Sequence, residues 1–157
     1  MIDQIVIEGI LGAYKYDAVN LLQILLNVQS VEAENYISEE VATYIAHRVH
    51  VPLSRVYEVV TYYSVLSHKP QGKYIIQICN TTVCKLNGFN EVLEWFKETL
   101  KVDVGETTSD GLFTLKLTSC IGACDVSPAV KIGHKVYGHI DEAKVQRIID
   151  ALRGYAQ

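Results

Sequence analysis

The sequence predicts a small helical bundle followed by an α/β layer, and two observations lead to this fold class. Apolar residues in the first 68 positions recur at helical spacing, whereas after Pro70 and Gly72 they form short strand-like runs. The composition is that of a globular chain, because 49% of the 157 residues are hydrophobic and 20% are charged. We therefore expect a helical domain at residues 1–70 and an α/β domain at residues 71–157.

Three helices are predicted in the first domain. The first covers Tyr16 to Val31, a stretch that is dense in apolar residues and contains no glycine or proline. The second begins after Ser38, a favourable N-cap, and ends at Pro52. The third follows directly, with Ser54 as its expected N-cap. Such a three-helix bundle is usually scaffolding or a docking surface.

The elements of the second domain are predicted in the order β-α-β-β-β-α. The strands lie at residues 74–78, 112–117, 129–132 and 135–138, and the helices at residues 90–100 and 142–152. Gly133 and His134 form a tight turn between the last two strands. A strand, a crossover helix and a parallel strand, followed by a hairpin and a covering helix, is the layout of a thioredoxin-like α/β layer.

The four cysteines of the chain form two closely spaced pairs. Four residues separate Cys79 from Cys84, three separate Cys120 from Cys124, and 35 lie between the pairs. Each pair follows a predicted strand, so parallel neighbouring strands would bring both pairs to one edge of the sheet. Thiolates are the soft ligands of zinc and of iron–sulfur clusters. Two pairs match the two irons of a 2Fe-2S core, which is the interpretation we favour.

The spacing of the cysteines alone leaves open three alternatives to a 2Fe-2S cluster. A zinc-stapled interaction module would also use four thiolates at these spacings. A redox-active disulfide usually has the spacing C-x-x-C, which neither pair shows. Buried cysteines without a metal are the third alternative. A cluster with two histidine ligands is not expected, because no histidine lies within the two cysteine segments.

The residues around the cysteines suit an anionic cluster. Gly122 and Ala123 are small and would let backbone N–H groups approach it. Thr81 and Thr82 would add hydroxyl donors, and Lys85 would offset negative charge. Asp125 would instead add negative charge beside the anionic cluster.

Charge and motif content exclude several function classes. The formal net charge of −4 argues against nucleic acid or an anionic membrane surface as the main partner. No segment approaches the roughly 18 uncharged apolar residues of a membrane span. The N-terminal residues do not form a convincing secretory signal, so we expect a cytoplasmic protein with reduced thiols. No glycine-rich phosphate loop occurs, so we expect that this chain alone binds neither NAD nor flavin.

Three stretches of the chain resemble a known family. They are YISEEVATYIAHRVHVPLSRVYEVVTYYS, GKYIIQICNTTVC and VGETTSDGLFTLKLTSCIGACDVSPAVKIGHKVYGHI. They are similar to the thioredoxin-like 2Fe-2S subunit of NAD-linked redox complexes. Members include the 24 kDa subunit of complex I and subunits of NAD(P)-linked hydrogenases, electron-bifurcating hydrogenases and NAD-dependent formate dehydrogenases. The resemblance leaves open to which of these complexes the chain belongs.

The resemblance implies a site, a cofactor and a set of partners. The ligands of the family fall on Cys79, Cys84, Cys120 and Cys124, which would hold one 2Fe-2S cluster. The chain would be a non-catalytic electron-transfer subunit of an NAD(P)H-linked oxidoreductase. Its partners would be an FMN- and NAD(H)-binding flavoprotein subunit and further iron–sulfur subunits.

Overall fold

The computed structural model describes residues 3–155, which form two compact units. The first unit extends to Gln71 and the second begins at Gly72. Each unit has its own hydrophobic core, made of helices in the first and of a four-stranded sheet with helices in the second. No helix within the described residues is both long enough and apolar enough to cross a membrane.

The first unit contains four α-helices. They are α1 (Gln4–Ala13), α2 (Leu21–Val31), α3 (Glu39–Arg48) and α4 (Leu53–Tyr62), with a 3₁₀ turn at Ala18–Asn20. Asp3 caps α1, because its carboxylate accepts a hydrogen bond from the N–H of Ile5. Ser38 caps α3, because its hydroxyl accepts from the N–H of Val41, which confirms the predicted cap.

The prediction of three helices is wrong, because the first unit has a fourth helix. This is α1, in a segment where no helix is predicted. Glu8 interrupts the apolar run of this segment, so the helical spacing of its apolar residues is not evident from the sequence. In the structure Ile7 and Leu11 lie one turn apart and are buried in the core. Glu8 follows Ile7 in the sequence, and its carboxylate binds the side chains of Tyr44 and Arg48 on α3.

Two helix starts also differ from prediction. The helix predicted from Tyr16 begins at Leu21, because Lys15 and Tyr16 adopt the left-handed backbone conformation, which an α-helix excludes. The last helix of the unit has Pro52 at its N-cap, so Ser54 lies within the first turn and is not the cap.

The Glu8 carboxylate joins α1 to α3. It accepts hydrogen bonds from the hydroxyl of Tyr44 at 2.6 Å, from that of Tyr16 at 2.9 Å and from Nε of Arg48 at 2.6 Å. The Arg48 guanidinium, followed by the Tyr44 hydroxyl, lowers the pKa of Glu8 to about 2. Glu8 therefore stays ionised at any pH at which the protein is expected to work.

The second unit is built on a mixed sheet of four strands. These are β1 (Tyr74–Cys79), β2 (Phe113–Thr118), β3 (Val130–Ile132) and β4 (Lys135–Tyr137), in the order β2-β1-β3-β4. The helices are α5 (Thr82–Leu86), α6 (Phe89–Leu100) and α7 (Glu142–Gly154). β1 is parallel to β2 and antiparallel to β3, and β3 is antiparallel to β4. The predicted strand order along the chain and the parallel pair are confirmed.

One face of the sheet packs against α6 and α7. Ile76 of β1 lies opposite Leu115 of β2 and Ile132 of β3, and all three are buried. Phe96 of α6 and Ile149 of α7 are fully buried in the same cluster. Alternate residues of a strand point to opposite faces, so these contacts leave Cys79 pointing away from this core.

The register of the parallel pair determines where the cysteine segments leave the sheet. Cys79 at the end of β1 lies opposite Thr118 at the end of β2. Both strands therefore end at the same edge, and the segments that follow them emerge side by side. Asn80 is tied to this edge because its N–H donates to the Thr118 carbonyl at 3.1 Å.

Candidate metal centre

The first cysteine pair is buried. Cys79 is the last residue of β1 and Cys84 lies within α5, and the exposed fraction of each residue is only 2%. The spacing alone would allow Cys84 to lie in a loop after the strand, but the five residues Thr82–Leu86 form a short helix that contains it. This single turn carries the second sulfur back toward the first, close enough that each of the two thiols affects the pKa of the other.

The second pair is exposed at the surface. Cys120 follows β2 by two residues, and Cys124 opens a 3₁₀ turn at Cys124–Val126. The two Sγ atoms lie 3.8 Å apart. Gly122 has φ +77, and its N–H donates to Sγ of Cys120 at 3.4 Å. A glycine between the cysteines therefore permits the left-handed turn that aims backbone N–H groups at sulfur.

The two pairs meet in space. The backbone of Ile121, between Cys120 and Cys124, lies close enough to Cys79 to lower the pKa of its thiol. The charge of Cys79 also acts directly on Cys124. Residues that are about 40 positions apart in the sequence are thus neighbours at one edge of the sheet, as the sequence analysis predicts.

Neighbouring groups shift the pKa of three of the thiols, those of Cys79, Cys84 and Cys124. Burial raises the pKa of Cys79, but hydrogen bonds from the hydroxyl and N–H of Thr81 outweigh it and leave that pKa below its ordinary value. Burial, followed by the adjacent Cys79, holds the pKa of Cys84 above its ordinary value. The hydrogen bond and charge of Cys120 raise the pKa of Cys124. Metal ligation would favour the ionised form of every thiol, because cations stabilise all the thiolates together.

Two other segments of the second unit contact the segment that carries the second pair and act as a brace. The N–H of His139 donates to the Val126 carbonyl at 2.6 Å. Gly138 packs so closely that a Cβ atom there would lie 2.4 Å from Cβ of Val126. The amide of Asn87, just after α5, donates to Oγ of Ser127 at 2.6 Å. No local sequence pattern predicts this brace, since it consists of contacts between segments that are distant in the sequence.

Of the two threonine hydroxyls predicted as donors to the cluster, only one lies next to a cysteine sulfur. The Thr81 hydroxyl lies 3.1 Å from Sγ of Cys79, whereas Thr82 is exposed. Lys85 is exposed beside the first pair. Asp125 adds to the causes that raise the pKa of Cys124, as its negative charge requires.

The donor set fits a cluster with two irons. Within residues 3–155, no group of three or more Cys, His, Asp or Glu side chains gathers tightly enough to hold a single metal ion. The thiols instead form two pairs on adjacent segments, with the Thr81 hydroxyl at Sγ of Cys79 and the backbone N–H of Gly122 at Sγ of Cys120. Four thiolates with N–H donors around them are the environment that 2Fe-2S clusters require.

Comparison with known proteins identifies the family. Residues 7–153 match the model of the thioredoxin-like 2Fe-2S ferredoxin family. The chain belongs to this family. Membership confirms the resemblance, the fold class and the predicted cofactor, a 2Fe-2S cluster, and it gives no support to the zinc-stapled alternative.

Two curated relatives come from multi-subunit enzymes. The chain is 38% identical over 130 residues to NADP-reducing hydrogenase subunit HndA of Solidesulfovibrio fructosivorans, covering 83% of this chain and 75% of the relative. It is 39% identical over 107 residues to the E subunit of the NADH-quinone oxidoreductase of Rickettsia typhi, covering 68% of this chain and 63% of the relative. The match thus spans less than two thirds of the Rickettsia protein.

The fold also occurs inside a larger protein chain. An NAD+-reducing NiFe-hydrogenase in the H2-reduced state matches with a TM-score of 0.76 at 18% identity. The match covers 88% of this chain but only 23% of the hydrogenase chain. At this identity the likeness establishes the fold alone.

Proposed function

We propose that Cys79, Cys84, Cys120 and Cys124 hold the 2Fe-2S cluster, with the first two on one iron and the last two on the other. The observation that carries this assignment is the meeting of the two pairs where the parallel strands β1 and β2 end. The spacing within each pair suits two sulfurs on one iron. The 3.8 Å between Sγ of Cys120 and Sγ of Cys124 is close to the separation expected of two ligands on one metal ion.

The chain then acts as an electron-transfer subunit. A bound 2Fe-2S cluster accepts and returns one electron at a time. Cys79 and Cys84 keep one side of the site away from water, because both are buried. Cys120 and Cys124 lie at the surface, so the electron would pass on their side, where a partner protein can approach.

The partner in this proposal is an FMN- and NAD(H)-binding flavoprotein subunit, with further iron–sulfur subunits beyond it. The names of the relatives support it, since both belong to complexes that act on a nicotinamide nucleotide. Hydride transfer from NADH moves two electrons, whereas this site would hold a one-electron carrier. The isolated chain is therefore non-catalytic, and the flavin stands between nicotinamide and cluster.

The two parts of the chain have different roles in this proposal. The α/β domain at residues 71–157 contains all four cysteines, and the helical domain at residues 1–70 docks on the flavoprotein subunit. The assembly works in the cytoplasm, where thiols stay reduced until they bind iron.

The ligand assignment is tested by single substitutions in the full-length chain. Cys120→Ala or Cys124→Ala removes a thiolate and leaves an iron under-coordinated, so the purified protein should lose its visible absorption and most of its iron. His134→Ala and His139→Ala are the controls, because neither side chain belongs to the proposed ligand set. The measurement is iron and acid-labile sulfide per chain, expected at about two each in the native protein. Full iron content in either cysteine variant would refute the assignment.

A further inference from the structure

The Thr81 side chain occupies a capping position without capping. Thr81 is the N-cap of α5, where a threonine hydroxyl ordinarily accepts a hydrogen bond from an N–H in the first turn. It makes no such bond here. Its Oγ1 lies 3.1 Å from Sγ of Cys79 instead. The helix thus forgoes a common stabilising contact, and the hydroxyl is directed at a cysteine.

Ligation determines the direction of this hydrogen bond. A cysteine bound to iron is a thiolate and has no proton to donate, so the Thr81 hydroxyl must be the donor. Cys79 is buried, and water therefore has little access to its sulfur. A hydrogen bond in such surroundings has more effect on charge than the same bond in water.

We propose that Thr81 is a positioning residue that raises the reduction potential of the cluster through its hydrogen bond to Sγ of Cys79. The proposal rests on the ligand assignment made above. Reduction adds one electron, supplied by the redox partner, and increases the negative charge on the cysteine sulfurs. A donor pointed at one of those sulfurs stabilises the reduced state more than the oxidised state, with no bond formed or broken and no proton transferred.

The test is a set of three substitutions in the full-length protein with its cluster bound. Thr81→Val keeps the branched shape and removes the hydroxyl, and Thr81→Ser keeps the hydroxyl and removes the methyl group. Thr82→Val is the matched control, because Thr82 is the exposed neighbour. The readout is the midpoint potential, followed by the EPR signal of the reduced cluster in a redox titration.

Thr81→Val should disfavour reduction by about three- to tenfold in the equilibrium constant, the range expected for one hydrogen bond, which lowers the potential by about 30 to 59 mV. Thr81→Ser should restore the native value, and Thr82→Val should not change it. No cap bond is lost, so folding is expected to survive. If Thr81→Val does not retain a cluster, Thr81→Ala replaces it. An unchanged potential in the variant that lacks the hydroxyl, or a Thr81→Ser protein that behaves like Thr81→Val, would overturn the proposal.

Failure of the ligand assignment would look different. Cys79→Ser should alter the visible spectrum and EPR signal of the native cluster, because oxygen replaces sulfur on an iron. If Cys79→Ser leaves both spectra unchanged, Cys79 is not a ligand, and the proposed function fails with it. If Cys79→Ser changes the spectra but Thr81→Val does not change the potential, only the role of Thr81 is wrong.

Discussion

Gly138 controls the segment that carries Cys124, and Gly138→Ala should weaken the site without touching a ligand. A Cβ atom at Gly138 would lie 2.4 Å from both Cβ and Cγ2 of Val126 and 2.7 Å from its carbonyl oxygen. Carbon atoms in contact normally lie about 3.5 to 4.0 Å apart, so one of the two segments must move by about 1 Å. Val126 lies two residues after Cys124, and its movement displaces that sulfur.

The cost of this substitution follows from packing. Forcing an extra carbon into a well-packed site typically costs about 1 to 3 kcal/mol. The shift also strains the 2.6 Å hydrogen bond from the N–H of His139 to the Val126 carbonyl, which is worth about 1 kcal/mol. We therefore expect a loss of about 2 to 4 kcal/mol in the free energy of unfolding of the second unit.

The assay is the rate of cluster loss to an iron chelator, followed by visible absorption, together with denaturant unfolding of the same protein. Gly154→Ala is the matched control, because no atom lies within 4 Å of a Cβ at that position. The control should not destabilise the protein, because Gly154 is the last residue of α7 and alanine has the higher helix propensity. If Gly138→Ala loses its cluster no faster than the control and unfolds at the same denaturant concentration, the brace does not support the site.

Two further predictions concern the helical unit and the division of the chain. Glu8 has a pKa of about 2 in the fold against an ordinary 4.5, so its stabilising effect is complete above pH 4.5 and is lost as the pH falls toward 2. Glu8→Gln should therefore unfold more easily than the native chain at neutral pH, with the difference by far-UV circular dichroism shrinking below pH 4.5. Glu58→Gln, which breaks an exposed pair with Arg55, should have little effect, and a Glu8→Gln deficit independent of pH would contradict the reasoning. A fragment of residues 71–157 should bind iron but associate more weakly with the flavoprotein subunit, and a fragment that cannot be reconstituted anaerobically would refute the division.

Local patterns in the sequence predicted the elements whose stability depends on near neighbours. The Ser38 cap, the change of period after Gly72 and the parallel pair β1 and β2 all follow from spacing and turn chemistry. Two cysteine pairs after two such strands were enough to predict their meeting at one edge. The same rules did not predict α1, because Glu8 interrupts the apolar run of this segment and most of its partners lie far away in the sequence. Two of its three partners, Tyr44 and Arg48 on α3, are about 40 residues away.

The sequence by itself favoured an iron–sulfur cofactor, since four thiolates fall in two pairs, and the family match then confirmed a 2Fe-2S cluster. Only the tertiary structure decided how the site is held. It buried Cys79 and exposed Cys120, directed the Thr81 hydroxyl at sulfur, and set Gly138 against Val126. Each of these depends on burial or on an approach between segments, and both are properties of the packed chain. The number and spacing of ligands belong to the sequence, whereas their solvation and hydrogen bonding arise only when distant segments come into contact.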